Sequence, residues 1–329
     1  MTKHEVDFAP TADPLLRHPH LSHSVSLPIL GVETRFESNS VYIRDLAEQT
    51  FNGGAAMPAG DTTPVPVVHV RIIVHDGNEH AAGHAAVQHI SASDGRLIVL
   101  APGSVAIVDG SRRESLAYVT TALAADREHF RVEVLEAITF ALLACFDRHP
   151  IHAAAIVQGG RAVLLAGASG MGKSTLTYLA HTSGIDVLSD DRVWVELHPA
   201  LRIWAGPLRV RLLGDASSHF PELSRLDEPI GGDGKSKRSV AFTGQTCTVP
   251  ADRAVVCVLT RGAKVALDRI AGSVLREELA GQLAPGFDRF PERQDVVLRT
   301  LTAEGGWRLT LSDNPHDALP LLHRMLDEA

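Results

Sequence analysis

The chain has 329 residues, 45% of them hydrophobic and 21% charged, which excludes disorder as the default and leaves room for two domains with a sizeable core. Its 31 Lys and Arg against 39 Asp and Glu give a formal net charge of −8 with no basic run, so neither nucleic acid nor an anionic membrane is an expected partner, and a protein or small molecule is. Cys145, Cys247 and Cys257 lack metal-ligand spacing, the N-terminus lacks the apolar core of a signal peptide, and no apolar run reaches spanning length; these features together predict a cytoplasmic protein with free thiols.

Residues 1–25 are rich in Pro and His without periodicity and read as an irregular lead-in, with structure expected from Ser26. Residues 32–36 alternate as a half-buried strand, and Asn39-Ser40 opens a helix over 41–51 that Asn52-Gly53-Gly54 ends. After a Pro/Gly/Thr loop over 57–66, the segments 67–74, 87–91, 96–100 and 104–108 read as successive strands of an antiparallel sheet. The longest helical signal covers 130–147, where Val134, Leu135, Ile138, Leu142 and Cys145 recur at steps of three and four. It either bridges two domains or opens the second. With a boundary near 128, the expected organisation is the lead-in, an N-terminal α+β domain over 26–127 serving docking or assembly, and a larger α/β domain over 128–329.

Within that second domain, 151–157 and 161–166 flank Gln158-Gly159-Gly160, a hairpin signal. Strands are expected over 185–189, 193–197, 201–204, 254–259 and 307–311, helices over 273–282 and 316–328, and a Gly/Lys-rich segment over 231–237.

Directly after the hairpin, residues 167–174 read Gly-Ala-Ser-Gly-Met-Gly-Lys-Ser, an unbroken match to the phosphate-binding loop G-x-x-x-x-G-K-[ST]. A buried strand over 162–166 precedes it, and a helix over 174–183 follows, stopped by Gly184. Gly167, Gly170 and Gly172 let backbone N–H groups face phosphate oxygens where a Cβ would intrude. The nucleotide-binding set is Gly167, Ser169, Gly170, Met171, Gly172, Lys173, Ser174 and Thr175. Lys173 meets the terminal phosphates, the Ser174 hydroxyl ligates magnesium, and the helix N-terminus adds its dipole. ATP with Mg2+ is therefore the expected cofactor pair; the loop does not distinguish ATP from GTP.

Asp190-Asp191 ends the apolar run 185–189, seventeen residues after Lys173, room for one helix and a return strand. A strand beside the loop strand would bring both carboxylates to the triphosphate at the carboxyl edge of the sheet. One carboxylate can hold magnesium and the other can accept a proton from an attacking hydroxyl. His152 enters the strand expected to pair with the loop strand, where it either faces the phosphates or packs as a satisfied core histidine.

These residues carry a family resemblance. His152-Ala153-Ala154, the loop 167–175, Gly184 and Leu188-Ser189-Asp190-Asp191 resemble the catalytic core of the HPr kinase/phosphorylase superfamily, in its HPr-kinase-like serine kinase branch, over roughly residues 148–215. The resemblance implies a P-loop core similar to phosphoenolpyruvate carboxykinase and magnesium-dependent transfer of phosphate to a serine of a peptide or protein, in an assembly that is commonly oligomeric. It also implies roles: Lys173 and Ser174 bind phosphate and metal, His152 lies at the transferred phosphate, Asp190 is the base, and Asp191 assists the metal.

The sequence departs from the family at two places. Ala168 stands where true HPr kinases carry an acidic residue, and in Leu208-Arg209-Val210-Arg211-Leu212 it is Arg209 that occupies the position of a metal-binding glutamate. An arginine cannot hold magnesium, although it can grip phosphate or carboxylate. Both departures weigh against HPr as acceptor and against the reverse phosphorolysis. Relatives with this pattern include kinases that tailor modified peptides such as lasso peptides, which makes a peptide serine the expected acceptor. Arg211, Lys235 and Lys237 are further candidates for phosphate or substrate contact, the two lysines as a cationic lid. The alternatives are a nucleotide-sensing binding module without transfer, favoured by the Arg209 replacement, and a kinase for a small hydroxylated metabolite.

Overall fold

The computed structural model describes residues 20–52, 65–76, 85–92, 96–206, 209–225, 237–241, 248–250, 254–280 and 291–328. A seven-stranded sheet comes first in the chain, formed by β1 (His23–Ile29), β2 (Val32–Ser38), β3 (Val67–His75), β4 (Gln88–Ser91), β5 (Leu97–Ala101), β6 (Ser104–Asp109) and β7 (Glu114–Thr120), in the spatial order β1-β2-β3-β7-β6-β5-β4. It is a mixed sheet, which corrects the antiparallel expectation: β3 runs parallel to both β2 and β7, and the other pairs are antiparallel. The crossover from β2 to β3 contains α1 (Val41–Phe51), the kind of connection parallel pairing requires. Among the described residues the first strand, β1, opens at His23, three residues before the expected start at Ser26.

One face of this sheet is covered. Thr34, Phe36, Val68, Val70 and Ile72 are buried at alternate positions, and α1 lays Ile43, Leu46, Ala47 and Phe51 over them. The expected long helix over 130–147 is a broken run: α2 (Thr121–Ala125), α3 (Arg127–Phe130), a π-helical turn (Arg131–Glu136) and α4 (Ala137–Ala144). Its apolar residues Phe130, Val134, Leu135, Ile138 and Leu142 belong to the same core as the seven-stranded sheet. The segment that crosses the expected boundary at 128 thus packs on the N-terminal sheet.

A six-stranded sheet and a four-stranded sheet follow. The four-stranded sheet contains β8 (His149–Ile151), β12 (Val193–Glu196), β13 (Arg202–Trp204) and β16 (Thr248–Pro250). The six-stranded sheet has the order β11-β9-β10-β17-β19-β18, from β9 (Ala153–Gln158), β10 (Arg161–Ala166), β11 (Asp186–Ser189), β17 (Ala254–Arg261), β18 (Ala266–Ile270) and β19 (Gly306–Leu311). Between these strands in sequence lie β14 (Arg209–Leu213) and β15 (Lys237–Ala241), a separate antiparallel pair.

Helices α5 (Lys173–Thr182) and α8 (Leu319–Glu328) contribute to the core on one face of the six-stranded sheet. Helices α6 (Gly272–Ala280) and α7 (Pro291–Leu301) share the other core with β8, β12 and β13. Covered on both faces, β9 and β10 read as continuous apolar runs. They join through Gly159-Gly160 with both φ positive, +57° and +79°, as a two-residue hairpin loop of this hand requires.

The four-stranded sheet ties the two halves together through its side-chain alternation. Val193, Val195 and Ile203 face the core shared with α6 and α7, while Trp194 and Trp204 face the core of the seven-stranded sheet. Phe36, Phe51, Phe140 and Trp194 form a chain of ring contacts from β2 to β12, with centroids 5.4, 5.8 and 4.6 Å apart in turn. No helix among the described residues is long and apolar enough to cross a membrane.

Candidate active site

The site is built where the chain changes sheets. β8 lies in the four-stranded sheet and β9 in the six-stranded one, with His152 as the single residue between them. The same step occurs between β11 and β12, and residues 190–192 make it. Because β11 pairs with β9 and β12 pairs with β8, the two crossings run side by side. Neither segment is itself part of a strand.

The expectation that the 185–189 strand lies beside the loop strand is corrected by the order β11-β9-β10. β9 intervenes and is antiparallel to both neighbours. That arrangement brings the carboxyl ends of β10 and β11 and the amino end of β9 to one edge, with Ala153 opposite Ala166. Gly167, His152 and Asp190-Asp191 follow from those ends. The carboxylates reach the loop across β9, and the histidine stands between.

Residues 167–172 form the turn from β10 into α5. Met171 N–H is bonded back to Ala168 O at 3.2 Å. The N–H groups of Gly172, Lys173, Ser174 and Thr175 have no protein acceptor among the described residues, the general condition of a helix start that accepts an anion. Gly172 has φ +105°, and a Cβ there would meet Arg261 Nη2 and Leu311 Cδ1, each at 3.2 Å. Backbone conformation and space thus both require glycine at this position. Ser169 and Gly170 are exposed, and Ser174 and Thr175 are half-buried at the start of α5.

Lys173 is buried, with 7% of its surface exposed. Its Nζ donates to Gly167 O at 2.5 Å and lies 3.2 Å from His152 Nε2. An ammonium only donates, so Nε2 is the acceptor and the ring proton resides on Nδ1. Nδ1 faces Asp191 Oδ1 at 3.5 Å. Burial pushes the His152 ring toward its neutral form, with Lys173 and Arg192 adding to the effect and Asp191 opposing it. Burial likewise lowers the proton affinity of Lys173, while Asp191 and then Asp190 hold the proton on. The Asp-Asp turn is itself fixed by Ser189, whose Oγ donates to Arg192 O at 2.7 Å and accepts from Asp191 N–H and Arg192 N–H at 3.4 and 3.1 Å.

The His152 environment has a consequence for pH. Its folded value lies below the ordinary 6.5, so between the two values the unfolded chain binds the extra proton and the folded one does not. Stability contributed by the neutral ring is present above about pH 6.5 and is lost as pH falls toward the lowered value. His152→Gln is expected to reduce the drop in urea midpoint between about pH 7.5 and about pH 5.5. An unchanged drop in the variant would show that the ring does not titrate differently on folding.

Of the remaining candidates, Arg209 and Arg211 lie in β14 and Lys237 opens β15, but their side chains fall outside the described residues, as does the whole of Lys235. The sequence motifs do not mark Arg261, which ends β17 beside the loop. The available signal was its position, since it closes an apolar strand parallel to the loop strand and so comes to the same carboxyl edge.

No family model and no curated protein matches the chain. Among solved structures, the HPr(Ser) kinase/phosphatase from Coxiella burnetii is similar to 55% of this chain and to 100% of its own, at 11% identity and a TM-score of 0.28.

Proposed function

We propose that the chain is an ATP- and magnesium-dependent kinase that transfers the γ-phosphate to a serine hydroxyl of a peptide or protein. The observation that carries this reading is the contact series Gly167 O, Lys173 Nζ, His152 and Asp191 at the mouth of a phosphate-binding loop. It joins the three motifs on which the resemblance to HPr-kinase-like serine kinases rests.

In the proposed reaction the serine oxygen attacks the γ-phosphorus in line with the bond to the β–γ bridging oxygen. The new O–P bond forms as that bond breaks, the hydroxyl proton passes to Asp190, and ADP leaves. Lys173 and the free amides of residues 172–175 stabilise the charge on the transferred group and the leaving phosphate. His152, neutral and protonated on Nδ1, holds Lys173 on one side and Asp191 on the other.

The donor set also fits magnesium. Asp191 is exposed, and its carboxylate and the Ser174 hydroxyl are oxygen donors of the kind magnesium takes. Magnesium is held in just this manner, by one or two protein oxygens plus phosphate, and when bound it neutralises phosphate charge. Ser174 and Asp191 are the residues assigned to it.

The N-terminal unit is assigned to docking of a macromolecular acceptor or to self-assembly. In support, the solvent side of its sheet carries Leu116, Ile107 and Ile90 exposed, with Leu116 opposite Ile107 on neighbouring strands. The test is transfer from labelled ATP with magnesium to serine-containing peptides, with Asp190→Asn as control. Transfer should fall by about 10²-fold or more in the variant while ATP binding is retained. Wild-type transfer rates in Asp190→Asn would remove Asp190 as the base. ATP binding without transfer to any acceptor would favour the nucleotide-sensing reading.

A further inference from the structure

β17 lies on the side of β10 away from β9, parallel to it, so its carboxyl end reaches the same edge as the loop. Leu259 and Arg261, two residues apart on one strand face, both touch the loop. Leu259 Cβ would stand 3.3 Å from a Cβ on Gly167, and Arg261 Nη2 would stand 3.2 Å from one on Gly172. The Arg261 guanidinium is held from behind, where Nη1 donates to Ser312 O at 3.1 Å. Among the described residues no carboxylate lies within ion-pair distance of it.

The loop is therefore flanked by two cations of different character. On the β9 side, Lys173 is buried and closes onto His152 beside the acidic turn. On the β17 side, Arg261 is exposed, oriented by a backbone carbonyl and laid along the last loop glycine. Gly172, against which it lies, is the first of residues 172–175, whose amides also lack acceptors. A guanidinium held by one nitrogen, with further N–H groups free beside unsatisfied amides, is a set of donors arranged for an anion.

We propose that Arg261 is the second phosphate-binding cation of the nucleotide site and grips the phosphates that remain with the nucleoside. The assignment rests on the kinase reading above. That reading places the transferred phosphate at His152 and Asp190 on the β9 and β11 side, so the rest of the polyphosphate extends toward β17. Arg261 then acts on nucleotide affinity and Asp190 on the transfer step.

Calorimetric titration of ATP and of ADP, each with magnesium, into the full chain tests this in wild type, Arg261→Ala, Arg261→Lys and Lys173→Ala. Arg261→Ala should weaken ATP and ADP alike by about ten- to hundredfold. Arg261→Lys should fall between wild type and the alanine variant, because a point charge replaces a fork. In transfer assays the alanine variant should raise the KM for ATP. Wild-type affinity for both nucleotides in Arg261→Ala would overturn the assignment and leave the kinase reading standing. Loss of ATP affinity alone, with ADP unaffected, would place Arg261 at the transferred phosphate and equally overturn it. If wild type binds neither nucleotide, the kinase reading fails and this one with it. Should Arg261→Ala lower the thermal midpoint without nucleotide, Arg261→Lys decides, and wild-type affinity there would count against the assignment.

Discussion

Lys173→Ala is expected to abolish ATP-dependent transfer and to weaken ATP binding by about 10²-fold or more. Lys173 is the buried cation at the loop, where its Nζ donates to Gly167 O after β10 and to His152 before β9. Burial makes the charge costly, and Asp191 and Asp190 retain it. A phosphate entering this site meets an ammonium with little water to screen it, where a charge contact is strongest. Arginine is not an adequate substitute, because a planar fork does not reproduce the contacts of a compact ammonium. The alanine variant also leaves the Gly167 carbonyl and His152 Nε2 without their donor, a penalty of about 1–3 kcal/mol for each group that stays buried. Unfolding must therefore be measured alongside. The expected result is a folded protein whose thermal midpoint no longer rises with ATP. Retention of the wild-type ATP-dependent rise would remove Lys173 from the nucleotide site.

The parts of this site that local chemistry determines were legible in the sequence. The helix over 41–51 coincides with α1, and the Gly159-Gly160 turn and the strand-loop-helix around Gly167 to Ser174 are present in the structure. Glycines at positive φ and apolar runs leave marks that need no knowledge of distant partners. Long-range pairing leaves weaker marks. Nothing in residues 185–189 indicates that β9 separates them from the loop strand, because every buried strand there is apolar whichever neighbour it takes. The parallel pairing of β3 was equally hidden, since alternation along a strand gives its buried face and not the direction of its neighbours. Short or polar elements such as β18 escaped for a related reason: its residues are largely exposed at a sheet edge and show no periodicity. Arg261 matters through a neighbour in space, eighty-nine residues from Gly172 in sequence, and only the sheet order reveals it.

Glu196→Ala is expected to cost about 3–5 kcal/mol of stability, a large share of the roughly 5–15 kcal/mol that holds a domain folded. Glu196 ends β12 on the face that carries Trp194, so it points into the joint between the four-stranded and seven-stranded sheets. There Glu196 Oε1 lies 3.0 Å from Arg148 Nη1 and Oε2 accepts from Trp204 Nε1 at 2.8 Å. Arg148 in turn donates to Leu30 O and Phe146 O at 2.6 and 2.8 Å and lies over the Trp204 ring at 4.9 Å. Both charged side chains are 5% exposed. Burial outweighs the pair at each end, raising the proton affinity of Glu196 and lowering that of Arg148. The pair as a whole is therefore no large net stabiliser, yet removing the carboxylate alone leaves a buried guanidinium without its counter-charge and an indole N–H without its acceptor. Replacing both residues, as Arg148→Met with Glu196→Leu, removes the stranded charge and should be less destabilising than Glu196→Ala. Urea unfolding of Arg148→Met, Glu196→Leu and the double variant measures the coupling. A Glu196→Ala midpoint equal to wild type would mean that the joint does not depend on this pair. An Arg148→Met variant as destabilised as the double one would mean that the bonds to Leu30 O and Phe146 O, and not the charge, hold it.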